Sequence, residues 1–161
     1  MRNIFKKGYS GGFTLIELLV VIGVLTVLLA IVLVAINPTR QFQQANDTQR
    51  RSDVNAILNA IHQYAADNKG ALPTGISSSA KDITSTAGAT NVNLCAALVS
   101  KYIADLPIDP KTGTESPANS VCTDSGATYD TKYTVLSSGT DSRVTVAATA
   151  EVSGVTISVT R

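Results

Sequence analysis

One carboxylate, Glu17, stands in an otherwise apolar run. Just upstream, Gly11 and Gly12 close a basic leader that carries Arg2, Lys6 and Lys7. The chemistry this order suggests is proteolysis between Gly12 and Phe13. An ordinary secretory signal places its small residues after the apolar stretch, so that cutting there discards the stretch. Here the small residues come first, and a cut after Gly12 would remove the leader and keep the apolar helix. It would also free an α-amine at Phe13, roughly one helical turn from Glu17. An ionised carboxylate in a membrane span costs on the order of 2.5–3.5 kcal/mol at the helix centre and less near its end. The amine of the same chain, or of a neighbouring copy in a stack of such helices, would offset that cost and fix register, as buried polar groups do in coiled coils. The competing reading is a glutamate that snorkels to the interface and has no further part.

The remaining residues with chemical potential lie further along. Cys95 and Cys122 form a pair on the extracytoplasmic side, where an oxidising compartment favours a disulfide. Closing a loop of about 28 residues would stabilise by roughly 3 to 4 kcal/mol in the chain-entropy model. A metal site is the alternative, but two cysteines and the single histidine, His62, supply few ligands. His62 is read as a solvated helix residue. Asp105, Asp109, Asp124 and Asp130 fall in loop-like segments and either remain solvated or gather around calcium, without the spacing of an EF-hand. There is no Gly-x-Ser-x-Gly, no phosphate loop and no second histidine, so the chain does not read as an enzyme. No cofactor is expected, calcium being the one exception considered.

These residues need elements to carry them. From Phe13 to Ile36 the only charged side chain is Glu17, and about 20 apolar residues suffice to cross a bilayer. Cations before the span and none until Arg40 after it put the N terminus in the cytoplasm and the rest outside. Residues 37–69 continue the helix in amphipathic form. Val54, Ile57, Leu58, Ile61, Tyr64 and Ala65 make one apolar stripe, with Arg50, Arg51, Asp53, Asn55 and Asn59 mostly off it. Asn37-Pro38 predicts a kink or melted turn, Gly23 a second weak point, and Asn68-Lys69-Gly70 the end of the helix. At 1.5 Å per residue, Phe13 to Asn68 would span about 84 Å, a length that suits a filament subunit.

Residues 70–161 read as one small globular domain. Residues 71–93, rich in Ser, Thr, Gly and Ala, are expected to be loop. Leu94–Tyr102 has the spacing of a short helix, and Leu106–Gly113 is turn chemistry. Three strands follow, marked by Tyr133 and Val135, by Val144, Val146 and Ala148, and by Val155, Ile157 and Val159. Their turns are Ser137–Asp141 and Ser153-Gly154. The fold class is therefore α+β: a long N-terminal α-helix, transmembrane in its first half, packed on a small C-terminal antiparallel β-sheet. The 161-residue chain has a formal charge of +1 and no Trp. Without Arg2, Lys6 and Lys7, ten Lys and Arg face twelve Asp and Glu, which is not the footprint of a general nucleic-acid binder.

The run Gly12-Phe13-Thr14-Leu15-Ile16-Glu17 followed by aliphatic residues resembles the type IV pilins and the pseudopilins of type II secretion. The resemblance is strongest over residues 5–36. It implies a class III leader at 1–12, cleaved after Gly12 by prepilin peptidase, and N-methylation of Phe13. It also implies that Glu17 sets register between subunits. The implied partners are that peptidase, copies of the chain and other pilins, an inner-membrane assembly platform, and membrane lipid before assembly. The implied location is the inner or plasma membrane, then an extracytoplasmic filament. Pro107-Ile108-Asp109-Pro110 is similar to a segment of the major pseudopilins, although the Trp that usually follows is missing. A pilus subunit, a pseudopilin and a minor pilin in DNA uptake all remain open. The last would need a basic patch, for which Arg50 and Arg51 are the only adjacent cations after the leader.

Overall fold

The structure is a computed structural model that describes residues 12–118, 121–122, 126–139, 141 and 143–161. The leader residues Arg2, Lys6, Lys7 and Gly11, together with Asp124 and Thr140, lie outside the described residues. The chain divides into two compact units between Gln41 and Phe42.

The first unit contains helix α1, Leu15–Ala35, which is 21 residues long and has no buried side chain. Its mean hydropathy is 3.3, and it is apolar on every side. Thr14 precedes it in an extended conformation and caps it. Gly23 stays helical, and the Thr26 hydroxyl donates to the carbonyls of Ile22 and Gly23 at 2.9 and 2.8 Å. The helical ladder stops at Ile36, whose N–H reaches the Val32 carbonyl at 3.1 Å. Asn37 then takes a positive φ of 34°. Pro38 explains this break, because it disfavours the α conformation in the residue before it and offers no amide donor. The same proline suits the first position of the next helix, α2 (Pro38–Asp67), where its missing N–H costs nothing.

In the second unit α2 buries Val54, Ile57, Leu58, Ala60 and Ile61, at the spacing of one helical face. The helix ends as Asn68-Lys69-Gly70 requires. Gly70 has φ 87°, and its N–H donates to the Ala65 carbonyl at 2.8 Å. The apolar face of α2 meets a six-stranded sheet through Ile83, Tyr133, Val135, Val144 and Val146. The strands are β1 (Lys81–Thr84), β2 (Asn91–Val92), β3 (Thr114–Ser116), β4 (Thr128–Ser137), β5 (Val144–Ala148) and β6 (Ile157–Thr160). Their order is β2-β1-β4-β5-β6, with β3 pairing the start of β4. All pairs are antiparallel except β1 with β2. Along β4, Tyr129, Thr131, Tyr133 and Val135 alternate inward, as a half-buried strand demands.

The α+β architecture stands, with three corrections inside it. Residues 71–93 are not all loop, since β1 and β2 lie there. Strands of four and two residues are too short for alternation to register, and β1 buries the consecutive Ile83 and Thr84. The meander is therefore part of a larger sheet with one parallel pair. The expected helix at Leu94–Tyr102 is only α3, Cys95–Leu98. Val99 turns extended and Ser100 takes φ 68°, while a hydrogen bond from Tyr102 N–H to the Leu98 carbonyl keeps a helix-like spacing.

A disulfide joins Cys95, at the start of α3, to Cys122, with the two Cα atoms 5.4 Å apart. The Tyr129 hydroxyl sits 3.1 Å from Cys95 Sγ and donates to Asn93 Oδ1 at 3.1 Å. Burial pushes that hydroxyl up to about 12. The bond thus fastens α3 and its preceding loop to the segment that leads into β4. Cys122→Ser should abolish the mobility difference between reducing and non-reducing gels and destabilise the full chain in detergent by roughly 3 kcal/mol. Two titratable thiols in the native chain would contradict the pairing.

Candidate functional site

Gly12, Phe13 and Thr14 lead into α1 as exposed, non-helical backbone. Phe13 is 81 % exposed. A methyl group on Gly12 would meet nothing within 4 Å. Among the described residues, therefore, no contact requires glycine there. Thr14 and Glu17 form a reciprocal capping box. The Glu17 N–H donates to the Thr14 hydroxyl at 3.2 Å. The Glu17 carboxylate accepts from the Thr14 N–H at 3.1 Å and from its hydroxyl at 3.0 Å. The lone acid of the span thus satisfies a donor that the helix start would otherwise leave open. Hydrolysis before Phe13 would leave this box intact, because the Thr14 N–H remains an amide. The Thr-x-x-Glu spacing of this box is a local feature of the sequence.

A second polar centre lies in the other unit. Arg50 is 2 % exposed. Its guanidinium pairs with Asp109 through two nitrogens, with Asp47 at 2.8 Å and with Glu151 at 2.9 Å. It ties α2 to the turn after Leu106 and to the connection between β5 and β6. The carboxylates are held from behind as well. Asp47 accepts the amides of Glu151 and Val152 at 2.8 and 3.0 Å. Asp109 accepts the amides of Lys111 and Thr112 and the Thr112 hydroxyl. Lys111 and Asn46 reach Glu151. Burial by itself would raise Asp109 and Asp47. For Asp109 the hydrogen bonds from Arg50 and the amides of Thr112 and Lys111 outweigh it and hold the carboxyl well below the usual range, and for Asp47 the amides of Glu151 and Val152 together with Arg50 lower it. One turn on, the buried Asp53 accepts the Tyr133 hydroxyl at 2.7 Å, and burial with this bond raises the tyrosine's pKa.

Arg50 and Asp53, placed off the apolar stripe by sequence, are therefore buried. Helical position alone cannot reveal this, because the Asp109 and Glu151 that pair with Arg50 are remote in the chain. Arg50 is not available to a basic patch, and of that pair only Arg51 is exposed. His62 is half-buried instead of solvated, with Nε2 shielded and without a hydrogen-bond partner among the described residues. Of the acids considered for calcium, Asp124 lies outside the described residues and the other three have protein partners. Asp109 is committed to Arg50, Asp130 pairs with Lys132, and Asp105 accepts its neighbour's amide. Among the described residues, no group of three or more His, Cys, Asp or Glu is arranged to hold a metal ion.

Residues 7–33 match the family model described as the prokaryotic N-terminal methylation motif. No curated protein and no solved structure matches the chain. Over those residues the chain thus carries the motif that is the hallmark of type IV pilins and pseudopilins. That motif implies processing by prepilin peptidase and assembly with other pilins, and α1 fits membrane anchoring.

The arginine centre sets a pH dependence. Carboxyls whose folded pKa values are depressed contribute stability that is present above about pH 4 and is lost as pH falls through the folded values. Arg50→Met should destabilise the full chain in detergent by about 3–5 kcal/mol at neutral pH, because buried carboxylates lose their counter-charge. The deficit should shrink in acid, where the orphaned acids protonate. Denaturant unfolding followed by tyrosine fluorescence at neutral and acidic pH reads both effects. Equal stability of parent and variant at neutral pH would contradict them.

Proposed function

We propose that this chain is the precursor of a structural subunit in a type IV pilus-like filament. Prepilin peptidase cuts after Gly12, and the freed amine of Phe13 is methylated. The subunit waits in the inner or plasma membrane with its N terminus in the cytoplasm. An assembly platform then moves it into an extracytoplasmic filament beside copies of itself and other pilins. The observation that carries this reading is α1, 21 residues with none buried, apolar all round and bearing one carboxylate at its start. Such a surface needs lipid or other helices around it. Inside a bundle of helices, Glu17 offers the counter-charge for an incoming Phe13 amine. The residue's own capping box keeps it satisfied until then.

A periplasmic pseudopilus subunit is the second reading, favoured by the Pro107-Ile108-Asp109-Pro110 turn, whose Asp109 is buried against Arg50. Arg50's burial speaks against DNA capture through the Arg50-Arg51 pair.

Glu17→Val should still insert, since the substitution makes the span more apolar. Fibre yield should fall steeply in cells with no other source of the subunit, because an incoming amine would be buried unpaired at a cost of several kcal/mol. Membrane fractionation with fibre counting tests this. Normal yield from Glu17→Val alone would show the carboxylate dispensable.

A further inference from the structure

The Gly12–Phe13 bond lies just ahead of the cap that starts α1. Thr14 is that N-cap, extended at φ −83° and ψ 150°, and its carbonyl accepts the first intrahelical bond, from the Leu18 N–H at 3.3 Å. Its hydroxyl accepts the Glu17 N–H at 3.2 Å, and its own N–H and hydroxyl donate to the Glu17 carboxylate at 3.1 and 3.0 Å. Together these bonds start the helix at Leu15. Gly12 and Phe13 stay as exposed, non-helical backbone, and among the described residues no backbone amide donates to the Gly12 carbonyl. Without the threonine cap, the next residue suited to begin the helix is Gly12, since glycine is tolerated at an N-cap where alanine and large apolar residues are not. A start there makes Phe13 the first helical residue. It also gives the Gly12 carbonyl to the Ile16 N–H, four residues on, a donor that the present register leaves open.

Leader removal needs that carbonyl. Hydrolysis adds water across the Gly12–Phe13 amide: the carbonyl carbon takes the oxygen and becomes the Gly12 carboxylate, and the Phe13 nitrogen takes a proton and leaves as the free amine. A carbonyl tied into a helical turn is shielded on one side by backbone and has committed a lone pair that an enzyme's donors would use. The turn must open before such a bond can be cut. We propose that Thr14 is a positioning residue for leader removal. By capping α1 it holds the start of the helix beyond the scissile bond, so that the peptidase meets the Gly12 carbonyl in extended, unshielded backbone. Because the cap acts on the population of the extended form, its loss weakens apparent binding of the precursor in proportion to the fraction still extended. The proposal rests on the reading of Gly12–Phe13 as the processing site.

Full-length precursors in detergent micelles are digested with a prepilin peptidase, and leader removal is timed by mass spectrometry. In isotope-labelled samples of the same chains, the backbone carbon shifts of Gly12 and Phe13 report whether those residues are helical. Thr14→Ala should raise KM about five-fold at near-parent kcat, the ordinary loss when alanine replaces a capping threonine. It should also move both shifts to helical values. Thr14→Ser, which still caps, should stay near the parent in both readouts. Parent-like KM and kcat in Thr14→Ala would refute the proposal, whether or not the shifts had moved. Slower cleavage with unmoved shifts would refute it as well, giving Thr14 to a direct contact with the peptidase. A parent precursor that the peptidase does not cut after Gly12 would overturn the processing reading itself, and the role of Thr14 with it.

Discussion

The uncovered apolar surface of α1 is the constraint on which the rest depends. Each large aliphatic side chain gains roughly 1.5–3 kcal/mol on leaving water, and α1 has no buried residue. Water is therefore an unfavourable environment for it. The same reasoning limits what hydrophobicity can do next. Lipid tails are as apolar as leucine, so transfer from bilayer to helix bundle gains little from the hydrophobic effect. Under the proposed function, selectivity for assembly over remaining in lipid would fall to packing and to the few polar groups. That places weight on Glu17 and Thr14 at the helix start, and on Gly23 and Thr26, small residues within the span of the kind that let helices approach closely.

The second unit solves a different problem. A sheet of short strands leaves long connections, and the turn after Leu106 and the segment after Ala148 reach the core through only a few partly buried side chains, Ile108 in one and Ala150 and Val155 in the other. Arg50 gathers both onto α2 through Asp109 and Glu151. Burying a guanidinium with three acids is seldom the most stabilising choice, since desolvation opposes the Coulomb gain. Its value lies in geometry. Each carboxylate is also fixed by backbone amides or neighbouring side chains, so the connections are held in one arrangement in which each guanidinium nitrogen and each of the three carboxylates has a partner. The disulfide serves a comparable end for α3.

What was legible in the sequence followed from periodicity and local chemistry. The apolar run set the limits of α1, Pro38 set the break, Gly70 set the end of α2, and alternation marked β4, β5 and β6. Thr14 was legible too, as the first member of a capping box four residues long. Arg50 was not. Its partners stand 59 and 101 residues away, and on a helical wheel it is one more cation beside Arg51. Strands β1 and β2 escaped for want of length, and β3 lies in a segment where turn residues dominate. Half-buried His62 and buried Asp53 show the same limit, because a helix face is broader than its apolar stripe once polar partners such as Tyr133 come from the sheet.

The filament reading is exposed most directly by locating the chain and its first residue together. Fibres sheared from the cell, or recovered from the periplasm, would be labelled for electron microscopy with an antibody to residues 71–161, and the subunit's N terminus would be read by mass spectrometry. Label along the fibres with N-methylated Phe13 as the first residue is the expected result. A chain found only in the membrane fraction with residues 1–12 still attached, and never in fibres, would contradict it.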